Sequence, residues 1–182
     1  VLMNVKKFNK KKIVTFMLIF VISILILTTF RGARATLFVL GFIVLNVILT
    51  LYKRYFYLPI EFEIISVGIV LSSIKFGLIA GLTVAIVGGI AYAIYCTSFS
   101  PFTFPMLLGY ALMALIAYFF SGVNMTYLGI GANIIHNLFI FVIYHFVFRY
   151  DLWKNIMYSG SNVLINIILF SNIAPFIFRI MG

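Results

Sequence analysis

Asn133, His136, Asn137 and Tyr144 fall at i, i+3, i+4 and i+11 in an otherwise apolar stretch, so a helix would carry them on one stripe. A second stripe follows, with Asn155, Ser159, Asn162 and Asn166 at i, i+4, i+7 and i+11, and Asn172 beyond it. Amides and a neutral imidazole offer donors and acceptors without net charge. That chemistry suits hydrogen-bonded capture of an uncharged or zwitterionic solute better than capture of a phosphate. Polar groups in hydrocarbon are costly, so both stripes must face a bundle interior, a cavity or a partner. Two readings stand side by side. Either the stripes form a substrate site, with Asn133, His136, Asn137, Tyr144, Asn162 and Asn166 around the solute, or they tie two helices together through amide hydrogen bonds worth about 0.6 kcal/mol each.

The rest of the titratable inventory is sparse. Asp and Glu number only 3 in the whole chain. Glu61 and Glu63 open an apolar segment, where acidic side chains complement the positive end of a helix dipole; alternatively they hold a cationic group at the mouth of a pocket. His136 and His145 lie nine residues apart, on nearly opposite sides of a helix, and no acidic residue is close to His136 in sequence. Neither a metal nor another cofactor is expected. A nucleophile motif, a phosphate-binding glycine loop after a strand and paired carboxylates deep in a span are all missing from the sequence, so the expectation is a protein that is not an enzyme. An arginine-rich voltage-sensing repeat and a filter-like loop are missing too. Cys96 is the only cysteine, which excludes a disulfide within the chain.

These groups must be carried by membrane helices. Of the 182 residues, 65% are hydrophobic and 9% charged, and the mean hydropathy is +1.24. A soluble domain has about a quarter charged residues. With roughly 20 residues per span, the length allows an all-α, polytopic transmembrane bundle of six or seven spans. Apolar runs lie at 13–30, 36–52, 60–74, 77–95, 106–120, 127–148 and 156–178, the third of them short or half-inserted. Residues 1–35 are read as a basic N-terminus with a first span, and 36–182 as the bundle core. The run 13–30 exceeds the roughly 7–15 residues of a signal-peptide core, and Arg31 and Arg34 sit beside the only small-residue cleavage candidate, so this span is expected to be retained.

The net charge of +10 is assigned to anionic lipid headgroups and orientation rather than to nucleic acid. A cytoplasmic N-terminus places Lys6, Lys7, Lys10, Lys11 and Lys12 inside, and with seven crossings Lys53, Arg54, Arg149 and Lys154 join them. Six crossings would put the C-terminus inside. Gly77, Gly81, Ala85, Gly89 and Ala93 recur every four residues, leaving a helix face nearly bare for close packing, within the chain or against another subunit.

From Leu58-Pro59-Ile60-Glu61-Phe62-Glu63 through Ser73-Ile74-Lys75-Phe76-Gly77 to Gly88-Gly89, the chain resembles the substrate-binding membrane subunits of energy-coupling-factor vitamin transporters. Phe104-Pro105, Gly109-Tyr110 and the helix around Asn133, His136 and Asn137 are similar too. The resemblance covers residues 36–178 as a pattern of helices and glycines. It implies a cell-membrane protein that captures a vitamin-like solute without catalysis and relies on a coupling subunit and ATPases for energy. Neither 13–30 nor 36–52 shows the Ala-xxx-Ala face by which such subunits dock, and 13–30 would be additional to a six-helix core. The rod-shape-determining integral membrane proteins share much of the same hydropathy and glycine pattern, and they imply instead a non-catalytic scaffold that holds other membrane proteins.

Overall fold

Each apolar run within the described residues forms a helix, the third only from Ile65 onward, as hydrocarbon requires of a segment that must satisfy its own backbone groups. The structure is a computed structural model that describes residues 31–56, 60–96 and 99–182. The expected first span at 13–30, its basic leader and the Leu58-Pro59 step lie outside the described residues. Helix α1 runs Arg31–Thr50 and tightens into a 3₁₀ turn at Leu51–Arg54. Helix α2 is Ile65–Phe76, α3 Leu78–Tyr95, α4 Thr103–Phe119, α5 Met125–Val147 and α6 Leu152–Ile180. No strand occurs among the described residues. Among the described residues four helices, Gly32–Arg54, α3, α5 and α6, are long and apolar enough to cross a membrane, and α2 and α4 are shorter apolar helices. The chain divides into two units, Val1–Leu37 and Phe38–Gly182, and α2 to α6 all belong to the second.

Helix α2 is the centre of that second unit. Its 12 residues make it about 18 Å long, well short of a hydrocarbon core of about 30 Å. Ile65 to Ser73 are all buried, the mark of a helix covered on every side. It packs against α3, α4, α5 and the last turns of α6. No side chain of its own caps its start; instead the buried Asn46 of α1 reaches across, its Oδ1 accepting the N–H groups of Ile64 and Ile65 at 3.1 Å each. Helices α5 and α6 begin on local caps, Asn124 accepting from the Thr126 N–H and Asp151 from the Lys154 N–H. The outer surface is apolar, with Leu40, Ile48, Ile79, Leu108, Leu138 and Leu164 all exposed, as lipid contact demands.

The small-residue face of α3 is used inside the chain. Gly77 is not part of it: with φ 95° it makes the turn between α2 and α3, a conformation that favours glycine. Gly81, Ala85, Gly89 and Ala93 are buried. A Cβ at Gly81 would meet the Ser73 Oγ and lie 2.9 Å from the Ser73 Cβ and 3.2 Å from its Cα. Gly81→Ala is therefore expected to pry α2 from α3 and lower stability by about 1–3 kcal/mol. Gly131→Ala, where nothing lies within 4 Å of the added carbon, should be neutral or slightly stabilising. Thermal unfolding of the two variants in detergent measures the contrast.

Three of the long helices contain a π segment: Val84–Gly88 in α3, Ile143–Val147 in α5 and Leu169–Ile173 in α6. In α3 the reason is visible in the sequence. An ideal helix turns 100° per residue, so a strict four-residue repeat drifts about 40° per step around its surface. A wider local turn takes up that drift. Gly81, Ala85, Gly89 and Ala93 thus stay buried together with Val84, Gly88, Tyr92 and Cys96.

Candidate functional site

The approach to α2 inverts the usual amphipathic rule. Along Ile60–Ile64 the chain is non-helical, and side chains alternate, with Ile60 and Phe62 exposed and Glu61 and Glu63 fully buried. Apolar residues face out, and the two carboxylates face in. Tyr52 of the 3₁₀ turn holds this segment, its hydroxyl donating to the Ile60 carbonyl at 2.7 Å and accepting from the Phe62 N–H at 3.2 Å. A buried carboxylate is tolerated only with partners, and each Glu has its own set.

Glu63 is held by neutral donors. Its Oε1 accepts from the Ser66 hydroxyl and the Asn162 amide, both at 3.0 Å, and its Oε2 from the Tyr110 hydroxyl at 2.5 Å. Glu61 is paired with Lys53, whose ammonium bonds it directly, and accepts from the Tyr92 hydroxyl at 3.2 Å. The Glu61 N–H donates to the Ser161 hydroxyl. Lys53 Nζ also donates to the Tyr92 hydroxyl at 2.7 Å and lies 5.1 Å from the Tyr92 ring centroid and 5.3 Å from that of Tyr158. Among the described residues this cluster therefore sets two carboxylates against one ammonium.

The two polar stripes do face each other across α5 and α6, and they close on one another. Asn162 is the hub. Its Oδ1 accepts from the amides of Asn133 at 3.0 Å, Asn137 at 2.9 Å and Asn166 at 3.1 Å, while its own amide goes to Glu63. Asn133 reaches Ser66 as well, and Asn137 and Asn166 also donate to carbonyls one turn back. All four amides are buried. Asparagine carries a donor and an acceptor on one short arm, so neighbouring asparagines bond each other rather than hold a void open. His136 is not in this cluster: it is stacked on Tyr110, ring centroids 4.7 Å apart and 5° from parallel.

Open space lies next to the cluster, on the far side of Tyr92. A cavity of about 220 Å³ is walled by the rings of Tyr92, Phe102, Tyr144, Tyr150 and Tyr158. Ser100 and Thr103 add hydroxyls and Met106 a thioether to its lining. The Tyr144 hydroxyl donates to the Phe102 carbonyl at 2.8 Å, and the Tyr144 and Phe102 rings meet edge to face, which ties the loop before α4 to the end of α5. A second, nearly apolar groove of about 530 Å³ runs between α5 and α6, with Asn137 and Ser159 among its lining.

Of the residues expected to surround a solute, the structure gathers Asn133, Asn137, Asn162, Asn166 and Glu63 into a closed knot and sets Tyr144 alone in the cavity wall. Glu61 is one hydroxyl behind that wall, through Tyr92, and it is buried rather than placed at an entrance. Lys53, Tyr92, Tyr110, Tyr158, Ser66 and Asn46 belong to the assembly without being marked by the stripe pattern. Asn46 had a usable signal, as the single amide in the apolar run 36–52. Among the described residues, no three His, Cys, Asp or Glu side chains converge as a metal site. No family model matches the chain, and no curated protein or solved structure does either.

Proposed function

We propose that this protein is a non-catalytic, integral-membrane binding component of a small-molecule uptake system, with its solute in the tyrosine-walled cavity and its energy from a separate coupling subunit with ATPases. The cavity carries this reading. Its volume suits a small solute, its walls mix rings with a few hydroxyls, and the buried Lys53–Glu61 pair holds Tyr92 beside it. The vitamin-like solute class comes from the resemblance to the vitamin-transporter subunits. The finer topology is proposed on the same footing, with α2 and α4 completing a bundle of six or seven crossings in the cell membrane and a cytoplasmic N-terminus. The competing scaffold reading drew on the small-residue face of α3, and that face is covered by Ser73, Ile65 and Leu107 of the same chain.

The test is ligand dependence of unfolding. The full chain, purified in detergent, is heated with a panel of vitamins, nucleobases and amino acids. A bound solute at 100 times its dissociation constant adds about 2.7 kcal/mol of stability. No response to any solute, with other membrane proteins co-purifying, overturns the proposal in favour of the scaffold. Ser100→Trp supplies the control. Ser100 is half-buried in the cavity lining, so an indole there competes for its space and should weaken solute binding by about tenfold or more, an affinity loss of about 1.4 kcal/mol. The unliganded melting temperature should stay close to that of the parent.

A further inference from the structure

Within the solute-binding reading, on which this rests, the geometry points to a solute that carries an ammonium group, as a cation or a zwitterion, received where Lys53 now sits. A cation is attracted to the face of an aromatic ring within about 6 Å of its centroid. Tyr92 and Tyr158 both wall the cavity; the Tyr158 centroid lies inside that distance of the Lys53 ammonium, and Tyr92 meets the ammonium at its hydroxyl end. The Tyr92 hydroxyl accepts from the same ammonium and donates to Glu61, so the Tyr158 ring, a phenol oxygen and a carboxylate converge on one positive charge. This is a cation receptor, and its present occupant is tethered to the chain.

The charge count points the same way. Glu61 and Glu63 are both buried, and among the described residues of the cluster only Lys53 answers them. Glu63 is held by an amide and two hydroxyls, none of which carries charge. An ammonium that takes the place of Lys53 keeps a positive charge opposite the two carboxylates, whereas an anion there would leave both unanswered. Phe102, Tyr144 and Tyr150 continue the aromatic wall for the body of the solute, and the Ser100 and Thr103 hydroxyls offer hydrogen bonds to its other end. Lys53 lies in the 3₁₀ turn at the end of α1, on a flexible four-carbon stem that can swing aside by its own torsions.

The experiment uses phenethylammonium and its neutral counterpart phenethyl alcohol as probes on the full chain in detergent. Thermal shift and equilibrium titration are read for the parent and for Lys53→Gln, which removes the tethered competitor. Phenethylammonium should bind the parent, and Lys53→Gln should bind it about tenfold more tightly, with no such gain for the alcohol. Tyr158→Phe and Tyr158→Leu, made with Lys53 in place, decide the matter if Lys53→Gln does not fold. The ring-preserving change should keep the preference for ammonium over alcohol, and the leucine should lower it about tenfold. Equal binding of the two probes, or binding of a panel solute without an ammonium while phenethylammonium fails, overturns the ammonium and leaves solute binding standing. No binding of any probe or panel solute overturns both.

Discussion

Asn162→Leu should cost about 3–4 kcal/mol of stability, several times the effect of the same change at Asn137 or Asn166. The substitution removes the one oxygen on which the amides of Asn133, Asn137 and Asn166 converge, and the one amide that α6 gives to Glu63. Two interhelical amide bonds, from Asn133 and Asn137, at about 0.6 kcal/mol each come to about 1.2 kcal/mol. A lost donor to a buried carboxylate adds about 1.5–3 kcal/mol. Asn137→Leu and Asn166→Leu each remove donors only at the edge of the knot, where Asn162 still has other partners, and about 1 kcal/mol is expected of each. Chemical or thermal unfolding in one detergent ranks the three. Equal losses at all three positions would contradict a hub. A normal fold with abolished solute binding in Asn137→Leu would return those amides to the solute.

The amide knot shows how far the residue pattern reached and where it stopped. That two polar stripes confront each other follows from period and cost: polar side chains at helical spacing on one face of each of two neighbouring apolar helices have nowhere else to go. Whether they enclose a void is decided by bond geometry between particular atoms, and the spacing of residues along one helix does not contain it. Tyr144 lies on the stripe of Asn133 and Asn137 but is nearly two turns beyond Asn137, far enough to leave the knot and enter the cavity wall. The carboxylates teach a related lesson. Glu61 and Glu63 sit two apart between apolar neighbours, a period-2 signal that the chain is extended there with its charges inward, yet their position ahead of an apolar run also fits a helix start. Their partners Lys53, Tyr92 and Tyr110 come from three other elements, and a pairing across such separations leaves no local trace. The π segment of α3 was legible in principle, because a four-residue repeat held over Gly81 to Ala93 is incompatible with an undistorted α-helix facing one way.

Lys53→Met is expected to cost about 3–5 kcal/mol, because it strands Glu61 as an uncompensated charge in a site with no exposure. Only neutral hydroxyls then face Glu61, that of Tyr92 at 3.2 Å among them, and Tyr92 loses the donor that now supplies its oxygen. Glu61→Met should be comparably costly for the same reason in reverse, since the Lys53 side chain is only 9% exposed. The double change removes both charges and replaces them with apolar volume, and buried ion pairs treated in this way are often neutral. The double variant should therefore lie within about 1–2 kcal/mol of the parent, giving a coupling of several kcal/mol where independent sites would simply add. Added ammonium separates this cycle from a plain packing effect. Phenethylammonium should restore stability to Lys53→Met, where Glu61 awaits a cation, and should do nothing for the double variant, where the carboxylate is gone. Additive losses in the cycle, or equal rescue of both variants, would mean that Lys53 and Glu61 act separately.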